Sequence, residues 1–299
     1  MRIGWADLPE RVRAEVQAII GGEVTGAVSQ PGGFSPGTAD RVVTTNGRRA
    51  FVKAVSKSQN ERSVEMARAE AHVTARMPPA VPVPRLHGVH DDGEWVALVL
   101  EDIEGRHPRT PWVEDEVAAA ASALRELARS LTPAPSIGLP AAADALAPDF
   151  AGWAGIAADP PADLDPWAAA HLDDLRSAAD RGLAAIRSGE TLTHCDIRAD
   201  NLLVRPDGSI VVVDWPWACI GPDWLDTVLL AMNVLVHGGD GESLLRGVDP
   251  RAAAGVIAGF TGYFLERSRH PSPGIPTVRA FQRAQADALL PWLRERLTG

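Results

Sequence analysis

The chain has 299 residues, 39 acidic against 29 basic, and a formal net charge of −10. That length can bury a proper core in one large domain or two lobes, and an acidic balance argues against a nucleic-acid binder built on a basic face. Two cysteines exclude a disulfide framework, and no apolar run reaches the roughly 18 residues that span a bilayer.

The first residues, MRIGWADLPERVRAE, show no apolar core of a secretion signal, so the expected location is cytoplasmic. DLPERVRAEVQAIIGG then predicts a helix with Asp7 as N-cap, Pro9 at its entry and Gly21 as its stop. Val12, Val16, Ile19 and Ile20 form its buried stripe. The period next drops to two. EVTGAVSQ reads as a strand, and DRVVTTNGRRAFVKAV as a hairpin turning at Asn46-Gly47. NERSVEMARAEAHVTARM returns to helical spacing and is ended by Pro78-Pro79. VPVPRLHGVHDDGEWVALVLED predicts two further strands joined at Asp92-Gly93.

Beyond Gly105 the texture is helical. EDEVAAAASALRELARSL carries Val117, Ala121, Leu124, Leu127 and Leu131 at helical spacing. The stretch 132–165, rich in Pro, Ala and Asp, reads as irregular in part. A helix then runs from cap Asp165 and Pro166 to Gly189. Two more are expected near 223–236 and 250–267, and a last one over 276–297 should bend or split at Pro291. These elements divide the chain into a strand-rich lobe over 1–105 and a helical lobe over 106–299, with a ligand cleft expected between them. The first part carries 14 acids and 12 bases, the second 25 and 17, so most of the negative charge belongs to the second. A solvated acidic surface is the plain reading of that excess. Attraction of a cationic substrate is the sharper one.

Between the last-but-three helix and the next lies THCDIRADN, followed by NLLV and IVVVDW. Phosphoryl transfer from a nucleotide needs a carboxylate beside the acceptor hydroxyl, hard oxygen ligands for Mg2+ and cationic support for the phosphates. Asp196 would face the hydroxyl. NLLV and IVVV read as two short strands turning at Pro206-Asp207-Gly208, which would bring Asn201 and Asp214 to one end as metal ligands. Lys53, in RAFVKAV, stands out by composition. The chain has 27 Arg and only two Lys, yet keeps a lysine in mid-strand on the face of Phe51 and Val55.

HCDIRADN resembles the H-x-D-x-x-x-x-N catalytic loop of eukaryotic-like kinases, and VVVDW the metal-binding aspartate motif that follows it. With GPDWLD after them, the chain most resembles the aminoglycoside phosphotransferase (phosphotransferase enzyme) family, from about Gly32 to Asp226. The resemblance implies an α+β, bilobal, protein-kinase-like fold, with a small antiparallel-sheet N-lobe for the nucleotide and a larger, mainly helical C-lobe. It implies a small-molecule kinase using ATP, or GTP, with Mg2+. Asp196 is then catalytic, with Arg198 at the γ-phosphate, and Asn201 and Asp214 hold the metal. Lys53 meets the α and β phosphates and pairs with a glutamate of the next helix. Among Glu61, Glu65 and Glu70, the spacing prefers Glu70, with Glu65 second.

PGGFSPGTADRVV would cover the phosphates through Gly33 and Ser35. It is not a Walker A loop, because Thr38-Ala39 stand where Lys-Ser/Thr would be. The backbone of Leu100–Ile103, at Glu101 and Ile103, would meet adenine. Asp226 would brace the catalytic loop, and His194 reads as architectural. Cys195 stands where the family usually has glycine, and a neighbouring carboxylate makes it an inert thiol. Asp223 and Trp224 lie toward the substrate side or serve packing, and Trp217, with Trp112 and Trp153, is a stacking candidate. Asp223 and Trp217 are the expected substrate contacts.

The expected substrate is a small molecule with a free hydroxyl, amino-sugar-like or an antibiotic. The alternatives are a metabolite kinase for an amino sugar, a choline-like alcohol or homoserine, and a silent nucleotide-binding module. A metal-dependent hydrolase using His194, Asp196 and Asp214 is a third class. Neither nucleic acid nor membrane is an expected partner, and the oligomeric state stays open.

Overall fold

A computed structural model of the chain describes residues 3–30, 36–272 and 277–297. Helix α1 (Glu10–Ile20) precedes strands β1 (Val24–Ser29), β2 (Thr38–Thr44) and β3 (Arg49–Ser56). Helix α2 (Glu61–Thr74) follows, then β4 (Leu86–Asp91) and β5 (Trp95–Leu100). Next come α3 (Glu114–Ser130), α4 (Ala142–Phe150), α5 (Gly152–Ala158), α6 (Pro166–Ala170) and α7 (Leu172–Ala185). Short strands β6 (Thr191–Thr193), β7 (Leu202–Val204), β8 (Ile210–Val212) and β9 (Cys219–Gly221) lead to α8 (Leu225–Val236), α9 (Pro250–Ser268) and α10 (Val278–Leu297).

The chain divides into two compact units. One comprises residues 1–108 and 200–218, the other 109–199 and 219–299. The first is built on an antiparallel sheet in the order β1-β2-β3-β5-β4. Its two faces follow from strand alternation. Ala50, Val52 and Ala54 of β3 join a core with Val12, Val16 and Ile20 of α1. Phe51 and Val55, on the opposite face, pack with Val64, Ala67 and Ala71 of α2. Lys53 therefore emerges on the α2 side, between two apolar residues. Each fully buried Val or Ile contributes roughly 1.5–3 kcal/mol, so a one-residue slip of β3, which would exchange the two faces, is strongly disfavoured.

The second unit is mainly helical. Its centre is α9, buried on most of its circumference against α4, α5, α7 and α10. Two-stranded ladders β6–β9 and β7–β8 complete the topology, the latter belonging to the first unit. Among the described residues no helix is long and apolar enough to cross a membrane.

Several elements depart from the sequence expectation. Asp7 does not cap α1. Its carboxylate accepts the Gly4 N–H (2.8 Å) in a preceding turn, and Pro9 occupies the cap position. Helix α2, capped by Asn60 at the Ser63 N–H, ends at Thr74, ahead of Pro78. The helix expected over 165–189 breaks at His171. The His171 N–H turns to the Ala168 carbonyl (3.2 Å), while its ring Nδ1 takes the Trp167 carbonyl (2.8 Å) that would have continued the helix. Helix α10 runs through Pro291 as one element. The stretch 132–165 is irregular in part, as expected, and holds the short helices α4 and α5.

Candidate active site

In the sheet unit, the Lys53 ammonium lies 2.6 Å from Glu70 Oε2 and 2.6 Å from Asp214 Oδ1. Burial opposes the charged ammonium, yet the two carboxylates outweigh it and hold Lys53 above its ordinary value. Glu70 reaches the lysine because it sits on the inward face of α2, buried near Val73 and Ala71. Glu65 pairs instead with Arg62 (2.9 Å) and Glu61 with Lys57 (3.0 Å), both on the exposed side of the helix.

The hairpin β7–β8 positions the other oxygen donors. Leu202 faces Val212 in the ladder, and the Val213 N–H donates to the Asn201 carbonyl (2.9 Å). Asn201 and Asp214 thus leave the same end of one hairpin. Asp214 holds a left-handed φ of 68°, a conformation uncommon for a non-glycine residue and of order 1–3 kcal/mol uphill. Trp215 anchors this turn: it is fully buried, and its indole N–H donates to the Val212 carbonyl (3.0 Å). The Asp214 side chain keeps 40% of its area accessible. An accessible carboxylate and an amide leaving the same end of one hairpin are residue types that suit a hard divalent cation. Among the described residues no three His, Cys, Asp or Glu side chains gather into a metal cage.

The strand end that would meet a base is also in this unit. The Glu101 N–H donates to the Arg85 carbonyl (2.8 Å), and the Ile103 carbonyl accepts from Arg41 Nη2 (3.3 Å). Among the described residues no acceptor meets the Ile103 N–H. Trp217 is 42% exposed, with the Arg62 guanidinium 5.4 Å above its ring. Gly33 and Ser35 lie outside the described residues.

In the helical unit, β6 delivers the chain to His194, which is fully buried. Helix α8 holds the loop from one side. Asp226 accepts the N–H of His194 (2.8 Å) through Oδ2 and that of Cys195 (3.0 Å) through Oδ1. Two turns further along α8, Asn233 Oδ1 accepts the Ala199 N–H (3.2 Å) and the Trp112 indole N–H (3.0 Å). Both ends of the loop are therefore fixed by acceptors seven residues apart, on one helix face. Sequence reasoning missed Asn233. Its signal was one amide in the apolar run LDTVLLAMNVLV. Burial raises the Asp226 carboxyl above the usual range, with His194 and the two backbone N–H groups opposing.

Between these supports, the Asp196 N–H donates to His194 Nδ1 (3.2 Å), which gives the buried imidazole an architectural place. Arg198 Nε is 3.6 Å from Asp196 Oδ1, and its guanidinium lies 5.7 Å from the Phe281 ring centre. Tyr263 stands within electrostatic reach of Asp196. Burial first, then Asp149 and to a smaller extent Asp196, push its phenol up, against Arg267 and Arg279. Asp223 is exposed at the turn before α8. Trp153 is packing: it is wholly buried and donates to the Ala258 carbonyl (2.7 Å).

The sequence matches the profile of the phosphotransferase enzyme family over residues 32–293. Among solved structures the chain is similar to choline kinase LicA from Streptococcus pneumoniae, with a TM-score of 0.61 and 14% identity over 97% of this chain and 98% of that one. It is similar to a thermostable mutant of aminoglycoside phosphotransferase APH(4)-Ia bound to AMP-PNP and hygromycin B (TM-score 0.59, 12% identity, 97% and 98% covered). A third is amicoumacin kinase hAmiN in complex with AMP-PNP, Ca2+ and Ami (TM-score 0.58, 12% identity, 94% and 94% covered). At such identities the likeness shows the fold, which is protein-kinase-like. No curated protein sequence matches.

Proposed function

We propose that this chain, which belongs to the phosphotransferase enzyme family, transfers the γ-phosphate of ATP to a hydroxyl of a small polar molecule. The observation that carries this reading is the Lys53 ammonium held at 2.6 Å by both Glu70 and Asp214. A half-buried lysine fixed between two acids of different elements is a rigid cation, suited to phosphate oxygens. Asn201 and Asp214 are the residues that would hold Mg2+. One carboxylate and one amide are a normal protein share for that ion, which fills its shell with phosphates and water. When bound, Mg2+ offsets charge on the β- and γ-phosphate oxygens.

Asp196 orients the acceptor hydroxyl and takes its proton, and Arg198 beside it supports the transferred phosphoryl group. The Glu101 carbonyl and Ile103 N–H offer an acceptor and a donor to the base edge, and Gly33 and Ser35 belong to the phosphate-covering loop. ATP is the first choice of nucleotide and GTP the alternative. The acceptor we favour is an amino sugar or an aminoglycoside-like antibiotic. The acidic excess of residues 106–299 supports it, as does the hygromycin B bound by one structural neighbour. A kinase of a choline-like or other metabolite alcohol is the alternative, and choline kinase LicA is the neighbour on that side. Exposed Asp223 and Trp217 are the proposed acceptor contacts from the loop after Asp214, and the cytoplasm is the proposed location.

Purified protein with Mg2+ and ATP, tested against aminoglycosides, other antibiotics, amino sugars and choline-like alcohols, should consume ATP with one of these classes. Asp196→Ala should lower that turnover by at least about 10³-fold, the scale of losing a proton acceptor together with its alignment. Turnover unchanged in Asp196→Ala would remove the mechanism.

A further inference from the structure

The residue before Asp196 is a cysteine, and the fold brings the chain's other cysteine against it. Cys195 Sγ lies 2.7 Å from Cys219 Sγ, and Thr193 Oγ1 is 3.3 Å from each sulfur. Thr193 and Cys219 are cross-strand partners in the β6–β9 ladder. Cys195, two residues past that pair, has a left-handed φ of 63°, and its sulfur meets that of Cys219 at the ladder's end. The separation is within about 0.7 Å of a disulfide bond length of about 2.04 Å, so the two sulfurs already lie close to bonding distance. An isolated cysteine beside a carboxylate is an inert thiol. A facing pair is a different chemical object.

We propose that Cys195 and Cys219 form an oxidisable dithiol that closes to a disulfide and ties the catalytic loop to β9. With hydrogen peroxide as oxidant, Cys195 Sγ attacks one peroxide oxygen and the O–O bond breaks. One water leaves, and Cys195 becomes a sulfenic acid. Cys219 Sγ then attacks that sulfur, the S–S bond forms, the S–O bond breaks, and the departing hydroxide takes the Cys219 proton as a second water. Two thiols and one peroxide thus give one disulfide and two waters. Cys195 acts first because it keeps 7% of its surface accessible, whereas Cys219 keeps none. The pair reacts slowly: its hydrogen bond to Cys219, then burial, then the charges of Cys219 and Asp226 hold the Cys195 thiol well above its ordinary value, so thiolate is scarce. Closure therefore answers sustained oxidant, not a brief pulse.

The tie would join the residue next to Asp196 to a strand 24 positions later. It would add a covalent restraint to a loop end that Asp226 already holds through two hydrogen bonds. This chemistry is independent of the acceptor the enzyme uses. The test is to hold the folded full chain in hydrogen peroxide for hours, denature it, and alkylate with N-ethylmaleimide. Intact mass should show loss of two hydrogens with no adduct, against two adducts before oxidation. A peptide linking residues 195 and 219 should appear, and dithiothreitol should reverse both changes. The oxidised protein should melt about 5 °C higher, because the link restrains the unfolded chain. Cys219→Ala should instead carry a dimedone-reactive sulfenic acid at Cys195. Two adducts remaining after oxidation, sulfinic acid without a link, or dimers on a non-reducing gel would each overturn the proposal. The wild-type measurements stand even if the variant fails to fold.

Discussion

Lys53 between Glu70 and Asp214 shows how much rests on one side chain. Replacing it by methionine leaves a buried glutamate and a half-exposed aspartate with no cation between them. Removing one partner of a buried pair costs about 3–5 kcal/mol. Partial exposure of Asp214 reduces that here, so urea unfolding of Lys53→Met should show a loss of roughly 1–3 kcal/mol. Because the folded lysine titrates above its ordinary 10.5, its stabilisation is whole below that pH and fades only as pH rises past it. The gap to wild type should therefore stay constant between about pH 6 and 9. Asp226 has the same sign at lower pH, because its folded value is also raised. A carboxyl raised by burial contributes most below its unfolded value of about 3.9 and loses that contribution as pH climbs through its folded value. Asp226→Ala strands the N–H groups of His194 and Cys195, at about 1–3 kcal/mol each. Its deficit should narrow as pH rises from about 4 toward 7, with His194 present in both proteins. Lys53 was legible in the sequence because an arginine-rich chain kept a lysine in mid-strand. Spacing prefers Glu70 with Glu65 as the alternative, and the packing of α2 decides between them, because it turns Glu70 inward and Glu65 toward Arg62.

Elements were legible in proportion to their length and period. The five strands of the sheet and the long helices α1, α2, α3, α8, α9 and α10 follow from alternation and helical spacing over 6–20 residues. Strands β6 and β9 are three residues each and leave no period to read. The break between α6 and α7 depends on one imidazole taking one carbonyl, which composition cannot announce. The close approach of α7 and α9 was equally hidden. Gly182 and Gly255 meet backbone to backbone, and a Cβ at Gly182 would collide with the Gly255 carbonyl and the Val256 nitrogen. Neither is the end of a flexible side chain, so the helices themselves must separate. Overpacking of this kind typically costs about 1–3 kcal/mol, and a backbone clash belongs at the upper end. Gly182→Ala should thus lower the unfolding free energy by that amount, read as a lower denaturant midpoint at unchanged slope, against the slight gain that alanine brings to an exposed helix. An unchanged midpoint would mean that α9 is held less tightly than its buried circumference implies.

At the scale of the whole chain, the motif HCDIRADN straddles the division between the units. Residues through Ala199 belong to the helical unit and residues from Asp200 to the sheet unit. Asp196 and Asn201, five positions apart, are thereby supported by different scaffolds. Helix α8 holds the first through the loop backbone, and the β7–β8 hairpin carries the second. Lys53, Glu70, Asn201 and Asp214 share one unit, so binding of the nucleotide and chemistry on the acceptor should separate by mutation. A ligand that binds only the folded state stabilises it by about 2.7 kcal/mol at a hundred times its Kd. With saturating Mg-ATP, wild type and Asp196→Ala should show equal rises in melting temperature. Lys53→Met and Asp214→Ala should lose most of that rise, and Asp214→Ala should also lose the difference between ATP alone and Mg-ATP. A thermal-shift series over these four proteins, with Mg2+ alone, ATP alone and both, reads the separation without knowledge of the acceptor. If Asp196→Ala abolished the shift as fully as Asp214→Ala does, the two functions would share one set of groups, and the assignment of Asn201 and Asp214 as the metal pair would fail with it.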